Sequence, residues 1–357
     1  MTLNKSENEL KVINPLTIAN WNDLILDSKN YSIFHSKEWC ELLEKTYNYE
    51  PLYFIAFDKE KLKILIPMML VKSIFTGKRL VSLPFSDYCE PLIENEFEYD
   101  DLLKEIVKLG QQKGARYIEF KGGEQYFIDQ PVFSNGYLHK LELSLSEDEL
   151  FNNLRKSNKR NIKKAIKENV EVRFSYSHSS LVEYYKLHVL TRKKHGLPPQ
   201  PFKFFDNIYK MIISKGMGSI VESLYKGQVI SSCIFFTFGK KVLYKFGASD
   251  MRYQNLRANN LLFWEAIKYY SNMGYEELCF GRTSAQSESL RQFKTGWGVN
   301  ETPSPFYRYS FKSNEFESGG KFALDSPSEV GSHNYIFKHA PKPVLKLIGN
   351  ITYRHIG

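Results

Sequence analysis

Cysteine is scarce. Cys40, Cys89, Cys233 and Cys279 stand alone with no Cys-x-x-Cys pair, which argues against a metal knuckle or a disulfide scaffold and for a reducing compartment. Long apolar runs are missing as well. Met1 to Trp21 mixes Lys, Glu and Asn with short apolar pieces and holds no signal-peptide core. No stretch approaches the ~20 apolar residues needed to span a bilayer, so a cytoplasmic protein is expected. Neither a nucleophile elbow nor a Ser-His-Asp order is visible, which fits chemistry that requires no protein nucleophile.

What the chain has in quantity is apolar, aromatic and basic residues. Its 357 residues, 42% hydrophobic and 15% aromatic, suffice for two ordinary domains or one large one with real cores. Forty-nine Lys and Arg against 40 Asp and Glu give a net charge of +9, which favours anionic partners such as phosphates, nucleic acid or a lipid surface.

Periodicity then divides the chain. Trp39 to Tyr47 predicts a helix, Tyr53 to Phe57 and Leu62 to Pro67 a hairpin, and Arg79 to Leu83 a strand. Tyr99 to Gln112 predicts a helix closed by Gly114, followed by a strand over Tyr117 to Phe120. The second half repeats this plan. Ser219 to Tyr225 and Val229 to Phe238 form a hairpin, Val242 to Gly247 a third strand, Asn260 to Asn272 a helix ending at Gly274, and Glu277 to Phe280 a strand. The shared order of helix, glycine and strand reads as an internal duplication.

Helices are expected between the halves: Leu154 to Glu168, Leu181 to Lys194 and Phe202 to Ser214. Ser146 and Glu149 form a capping box that opens a helix, and the first of these segments carries seven cations while Ile162, Ala165 and Ile166 give it one narrow apolar face, so it can dock while displaying charge. The boundaries that follow are 1–140, 141–312 with the basic helical segment 146–215, a linker over 313–335, and a basic amphipathic tail over 336–357.

One stretch draws these parts together. Phe280 closes a strand, Gly281 frees the backbone at its end, Arg282 follows, and Phe293-Lys294 precedes the turn Gly296-Trp297-Gly298. Arg282, Phe293-Lys294 and that turn resemble the C-terminal signature of FemAB-like acyltransferases, a branch of the GNAT fold that includes peptidoglycan bridge-forming aminoacyltransferases. The resemblance extends upstream through Leu83 to Tyr88, Arg160 to Ala165, His195 to Pro198 and Asn259 to Trp264, and covers most of residues 30–310. It implies an α+β fold of tandem GNAT-like (acyl-CoA N-acyltransferase) domains. Each would be a mixed, mainly antiparallel sheet flanked by helices, with a helical insertion between.

The resemblance also implies amide-forming acyl transfer without a tightly bound cofactor or metal. The donor would be an acyl-CoA or an aminoacyl-tRNA, and the acceptor an amine on a cell-envelope or exopolysaccharide precursor. Lys294 would face the oxyanion or a donor phosphate. Asp87 with Tyr88 would accept from the acceptor, and His195 is a candidate base that equally suits a helix C-terminus. Arg282 is a candidate phosphate or carboxylate clamp, and Trp297 packs the turn or lines the site. Lys45 occupies a position resembling a lysine that holds nucleotide phosphates. Lys245, between Tyr244 and Phe246 on a strand, is expected on the face opposite those aromatics.

Acetyl-CoA users of the GNAT fold cradle the pyrophosphate in a glycine-rich turn before a helix. Here Arg252 to Asn260 holds no glycine, with Arg252, Arg257 and Asn259 as candidate donor contacts. That leaves room for tRNA phosphates on a basic helix presenting Arg160 and Lys163. A second reading of a different class is a non-catalytic GNAT-derived module that grips RNA or anionic lipid. In either case residues 342–356 are expected to form a basic amphipathic helix that either packs back onto the protein or makes peripheral contact with the inner face of the cell membrane.

Overall fold

The computed structural model describes residues 10–94, 99–319 and 333–356. In chain order its strands are β1 (Lys11–Ile13), β2 (Glu50–Pro51), β3 (Tyr53–Asp58), β4 (Lys61–Ile66), β5 (Met69–Ser73), β6 (Gly77–Val81), β7 (Leu92–Ile93), β8 (Tyr117–Lys121) and β9 (Gly136–Glu142). There follow β10 (Glu171–Ser175), β11 (Gly218–Tyr225), β12 (Gln228–Phe238), β13 (Lys241–Ser249), β14 (Glu277–Ser284), β15 (Asn300–Pro303), β16 (Phe306–Ser310) and β17 (Glu315–Phe316). The α-helices are α1 (Trp21–Leu26), α2 (Lys37–Tyr47), α3 (Tyr99–Gln112), α4 (Glu147–Asn152), α5 (Lys156–Lys167) and α6 (His178–Lys194). They continue with α7 (Phe202–Met211), α8 (Ala258–Asn272), α9 (Glu288–Thr295), α10 (His333–His339) and α11 (Lys342–Thr352).

The described residues of 1–136, 303–323 and 352–357 form one compact unit, and those of 137–302 and 324–351 a second. In the first, two sheets run β1-β3-β4-β7 and β17-β16-β8-β6-β5-β2. Its core gathers Phe54, Ile64, Leu80, Ile106, Ile118, Phe120 and Phe127. In the second, one sheet runs β10-β11-β12-β13-β14-β9-β15, and α8 lays Leu262, Phe263, Ile267 and Tyr270 against Phe235, Leu278 and Phe280.

Each unit contains the same crossover. The hairpin β5-β6 leads through α3 and Gly114 to β8, which pairs parallel to β6 at Leu80↔Ile118. The hairpin β12-β13 leads through α8 and Gly274 to β14, parallel to β13 from Lys241↔Glu277 to Leu243↔Cys279. Parallel neighbours need such a crossover, since a tight turn can join only antiparallel ones. Gly114 and Gly274 stand at φ +68° and +76°, the left-handed conformation that ends a helix and sends the chain back. The tandem α+β arrangement expected from the repeated element order is the one observed.

Two placements differ from the sequence expectation. Residues 303–312, expected with the second half, return to the first unit, where β16 pairs antiparallel with β8 from Phe306↔Lys121 to Ser310↔Tyr117. Arg308 holds Glu119 across that pair at 2.6 Å and lies 3.6 Å from the Phe133 ring centroid. The helical insertion also contains β10, which pairs with β11 at the edge of its sheet. Its half-exposed residues carry little of the alternation that marks a strand. The expected linker 313–335 lies largely outside the described residues.

Candidate active site

The second unit's sheet opens at β13 and β14. Their parallel register covers Lys241–Leu243 and Glu277–Cys279, while β13 runs on to Ser249 and β14 to Ser284. A β-bulge sits at this divergence. Ile234 pairs with Phe246 and Phe235 with Tyr244, so Lys245 is the extra residue. The bulge corrects the expected alternation. Tyr244 faces Phe263 of α8 at 4.7 Å, whereas Phe246 faces Phe205 of α7 at 5.3 Å, on the other side of the sheet. Lys245 is therefore not opposite a pair of aromatics; its Nζ lies 5.5 Å from the Phe246 ring centroid.

The far end of β14 is fixed by a lysine. Gly281 adopts φ +74°, and Lys294 of α9 donates from Nζ to the carbonyls of Gly281 at 2.9 Å and Arg282 at 3.2 Å. Lys294 is buried and Arg282 half-buried. Two carbonyl dipoles aimed at one ammonium offset part of its desolvation. The result is a positive charge held at the strand end where β14 has left β13.

Trp297, fully buried, packs against Phe263, Phe280 and Phe293 at centroid distances of 5.3, 6.3 and 6.1 Å. The turn around it is gripped by the start of α5. Arg155 donates to the Gln292 carbonyl at 2.8 Å, and the buried Asn158 amide donates to the Gly296 carbonyl at 2.9 Å. Asn158 was not singled out in the sequence, where it reads as one more polar residue in a charged helix. Its Oδ1 accepts from Asn260 of α8 at 3.4 Å. Thus α5, α8 and α9 are tied together around the Gly-Trp-Gly turn.

The α8 N-terminus is built without glycine. Arg257 takes the left-handed conformation at φ +59° that glycine adopts most easily, and Asn259 Oδ1 accepts from Ser231 Oγ of β12. Arg252 is turned to Asp250, with a forked pair whose shortest contact is 2.6 Å. That pairing holds the Asp250 carboxyl below its ordinary range.

A second cluster, which no spacing in the sequence announces, lies on β9, β15 and α9. His139 is buried with neither ring nitrogen hydrogen-bonded, and its Nδ1 stands 3.5 Å from Glu301 Oε2. Arg291, one turn before Lys294, grips Glu301 at 2.5 and 3.2 Å and covers the Tyr137 ring at 3.9 Å. Burial, then the Lys294 charge, push the His139 imidazole down to about 4 against the pull of Glu301. It is neutral at physiological pH.

Residues 152–295 match the family described as acetyltransferase (GNAT) domain. That match covers less than half of the chain, and the fold, by the likenesses that follow, is the tandem GNAT form. Among solved structures it is similar to FemX, with 14% identity and a TM-score of 0.69 over 85% of this chain and 98% of that one. It is also similar to a tandem GNAT protein from the clavulanic acid biosynthesis pathway, with 9% identity and a TM-score of 0.53 over 85% and 98%. A third is L-PGS from Bacillus licheniformis, with 12% identity and a TM-score of 0.53 over 95% and 96%. No curated protein matches by sequence.

Arg257, Asn259, Arg282 and Lys294 all lie within the matched residues, and Trp297 lies just beyond them. The basic helix lies among the matched residues too. Arg160 and Lys163 are exposed on α5, while Ile162 and Ala165 are buried. Ile166, expected on the same apolar face, is instead 57% exposed, because four residues on from Ile162 the helix has already turned past the narrow contact. His195 caps α6. Packing around its ring, then Lys194, Arg192 and Lys338, hold its pKa below the usual histidine value.

Other candidates belong to the first unit. Lys45 is exposed and paired with Glu41 at 2.6 Å. Tyr88 is buried edge-on against Phe34 at 5.6 Å, beside the half-buried Asp87. The tail helix α11 buries Leu345 and turns Val344, Leu347 and Ile351 outward. No helix among the described residues is long and apolar enough to cross a membrane.

Proposed function

We propose that this protein is an N-acyltransferase that joins an activated acyl or aminoacyl group to an amine on a cell-envelope or exopolysaccharide precursor. The observation that carries the reading is the buried Lys294 ammonium fixed on the Gly281 and Arg282 carbonyls at the opened edge of β14. The amine lone pair attacks the acyl carbon, the C–N bond forms, and negative charge collects on the carbonyl oxygen. The C–S or C–O bond to the donor then breaks, and the amine's proton leaves with the released thiol or hydroxyl. A charge already in place in a dry site stabilises that oxyanion without reorganisation. In this reading Arg282 clamps a phosphate or carboxylate, Trp297 keeps the turn in shape, and Asp87, Tyr88 and Lys45 address the acceptor. His195, its pKa held below the usual histidine value, takes the proton that an incoming ammonium loses before its nitrogen can attack.

The donor is an acyl-CoA or an aminoacyl-tRNA. Arg257 and Asn259 at the α8 N-terminus, with Arg252 before them, address its phosphates, as do Arg160 and Lys163 if the donor is a nucleic acid. The likeness in fold to FemX and the resemblance to bridge-forming enzymes support an envelope amine as acceptor. The outward stripe of α11, with Lys342 and Lys346 beside it, supports peripheral contact of 342–356 with the cytoplasmic membrane face.

The test is thermal stabilisation by coenzyme A thioesters against charged tRNAs, followed by mass measurement of an amine-bearing envelope precursor incubated with whichever donor binds. A new amide of the acyl mass is the expected product. Donor binding without any amide would instead favour the non-catalytic reading, which the absence of glycine from Arg252 to Asn260 supports.

A further inference from the structure

Ile74 and Phe75 form the tip of the β5-β6 hairpin and are 83% and 64% exposed. The turn is not loose. Ser73 Oγ accepts from the Phe75 and Thr76 amides at 3.1 and 3.0 Å. The buried Arg79 donates to Thr76 Oγ1 at 2.6 Å and to the His355 carbonyl at 2.9 Å. That second bond brings the chain's last turn beside the hairpin, where His355 meets the Phe75 ring edge-on at 4.8 Å and Ile356 is 62% exposed.

Cations ring this apolar tip. Lys72, Lys78, Arg116 and Arg354 are exposed around it. Arg116 lies against Gly77, and Lys78, Gly77, Arg354 and His355 line an open depression. Lys72 and Lys113 both pair with Glu50. A soluble surface gains nothing from two large apolar side chains held outward by a rigid turn, whereas a bilayer takes the tip into its acyl boundary and the cations among its phosphates.

We infer that the Ile74-Phe75 hairpin, with Ile356 and the surrounding cations, is a docking site for an anionic lipid bilayer. The site is distinct from the α11 stripe and needs no acyl donor.

Cosedimentation of the full chain with vesicles of phosphatidylcholine alone and of equimolar phosphatidylcholine and phosphatidylglycerol tests it. The protein should bind the anionic vesicles at least about tenfold more tightly, and added salt should weaken binding. The double substitution Ile74→Ser with Phe75→Ser should lower binding about tenfold, as should Lys78→Gln with Arg354→Gln, with melting temperature unchanged because these side chains are exposed. Equal binding to both vesicles, or undiminished binding by both variants, would overturn the inference. So would loss confined to Leu347→Ser, which would leave binding to the tail helix alone. Dimerisation without vesicles that Ile74→Ser with Phe75→Ser abolishes would assign the patch to a second copy of the chain, and also overturn it.

Discussion

The ε-ammonium of Lys294 lies 2.9 Å from the carbonyl oxygen of Gly281, so the cation proposed for chemistry also holds the strand end that carries it. Lys294→Met should therefore have two effects. Leaving the Gly281 and Arg282 carbonyls without their donor should cost about 1–3 kcal/mol, read as a lower melting temperature. Loss of the fixed charge should lower kcat about a hundredfold or more at temperatures where the variant is fully folded. A turnover that falls only in step with the folded fraction would make Lys294 purely structural.

His139 gives stability a pH signature. Its folded pKa, about 4, lies below the unfolded value of 6.5, so the unfolded chain binds more protons between those values. Its contribution is thus complete above about pH 6.5 and is lost as pH falls towards 4, at roughly 3 kcal/mol in total. His139→Phe should flatten chemical-denaturation stability across this window. An unchanged pH slope would place the dependence elsewhere.

Trp297 separates packing from polarity. Its indole nitrogen is buried with no hydrogen-bond partner, so Trp297→Phe discards an unsatisfied donor and keeps an aromatic ring among Phe263, Phe280 and Phe293. We expect a cost below about 2 kcal/mol. Trp297→Ala opens a cavity and should cost about 3–5 kcal/mol. Comparable melting temperatures for the two variants would mean that the ring cluster contributes little.

Gly349 is where the tail helix meets the second unit. A Cβ there would collide with the Pro199 carbonyl, and backbone cannot yield as a flexible side chain does. Gly349→Ala should loosen α11 and make residues 333–356 more susceptible to limited proteolysis, while the GNAT domain keeps its melting transition. Unchanged proteolysis would show that Leu345 alone seats the helix.

Much of the fold was legible in the chain because the relevant physics is local. Runs broken by the turns at Lys226-Gly227 and Gly239-Lys240 located three of the seven strands of the second unit's sheet. The Gly114 and Gly274 stops specified where each crossover helix ends, and their repetition revealed the duplication. The candidate site was legible only in part. Arg282, Lys294 and Trp297 fall within one short stretch and could be read as a group. His139 and Glu301 carry no mark in sequence, because each is one polar residue in a strand brought to the other by pairing across the sheet.

The sequence by itself determined the hairpins, the crossover helices and strands, the tandem plan and the residue types at the turn around Trp297, since these depend on backbone propensity and short-range periodicity. Tertiary structure alone decided that Lys245 is bulged, that β16 joins the first unit, and that Lys294 is buried on two carbonyls. It also decided that Asn158 clamps a turn 138 residues away. Each of these outcomes depends on which distant backbone groups are left needing a partner once the sheets have paired, and that demand exists only in the folded chain.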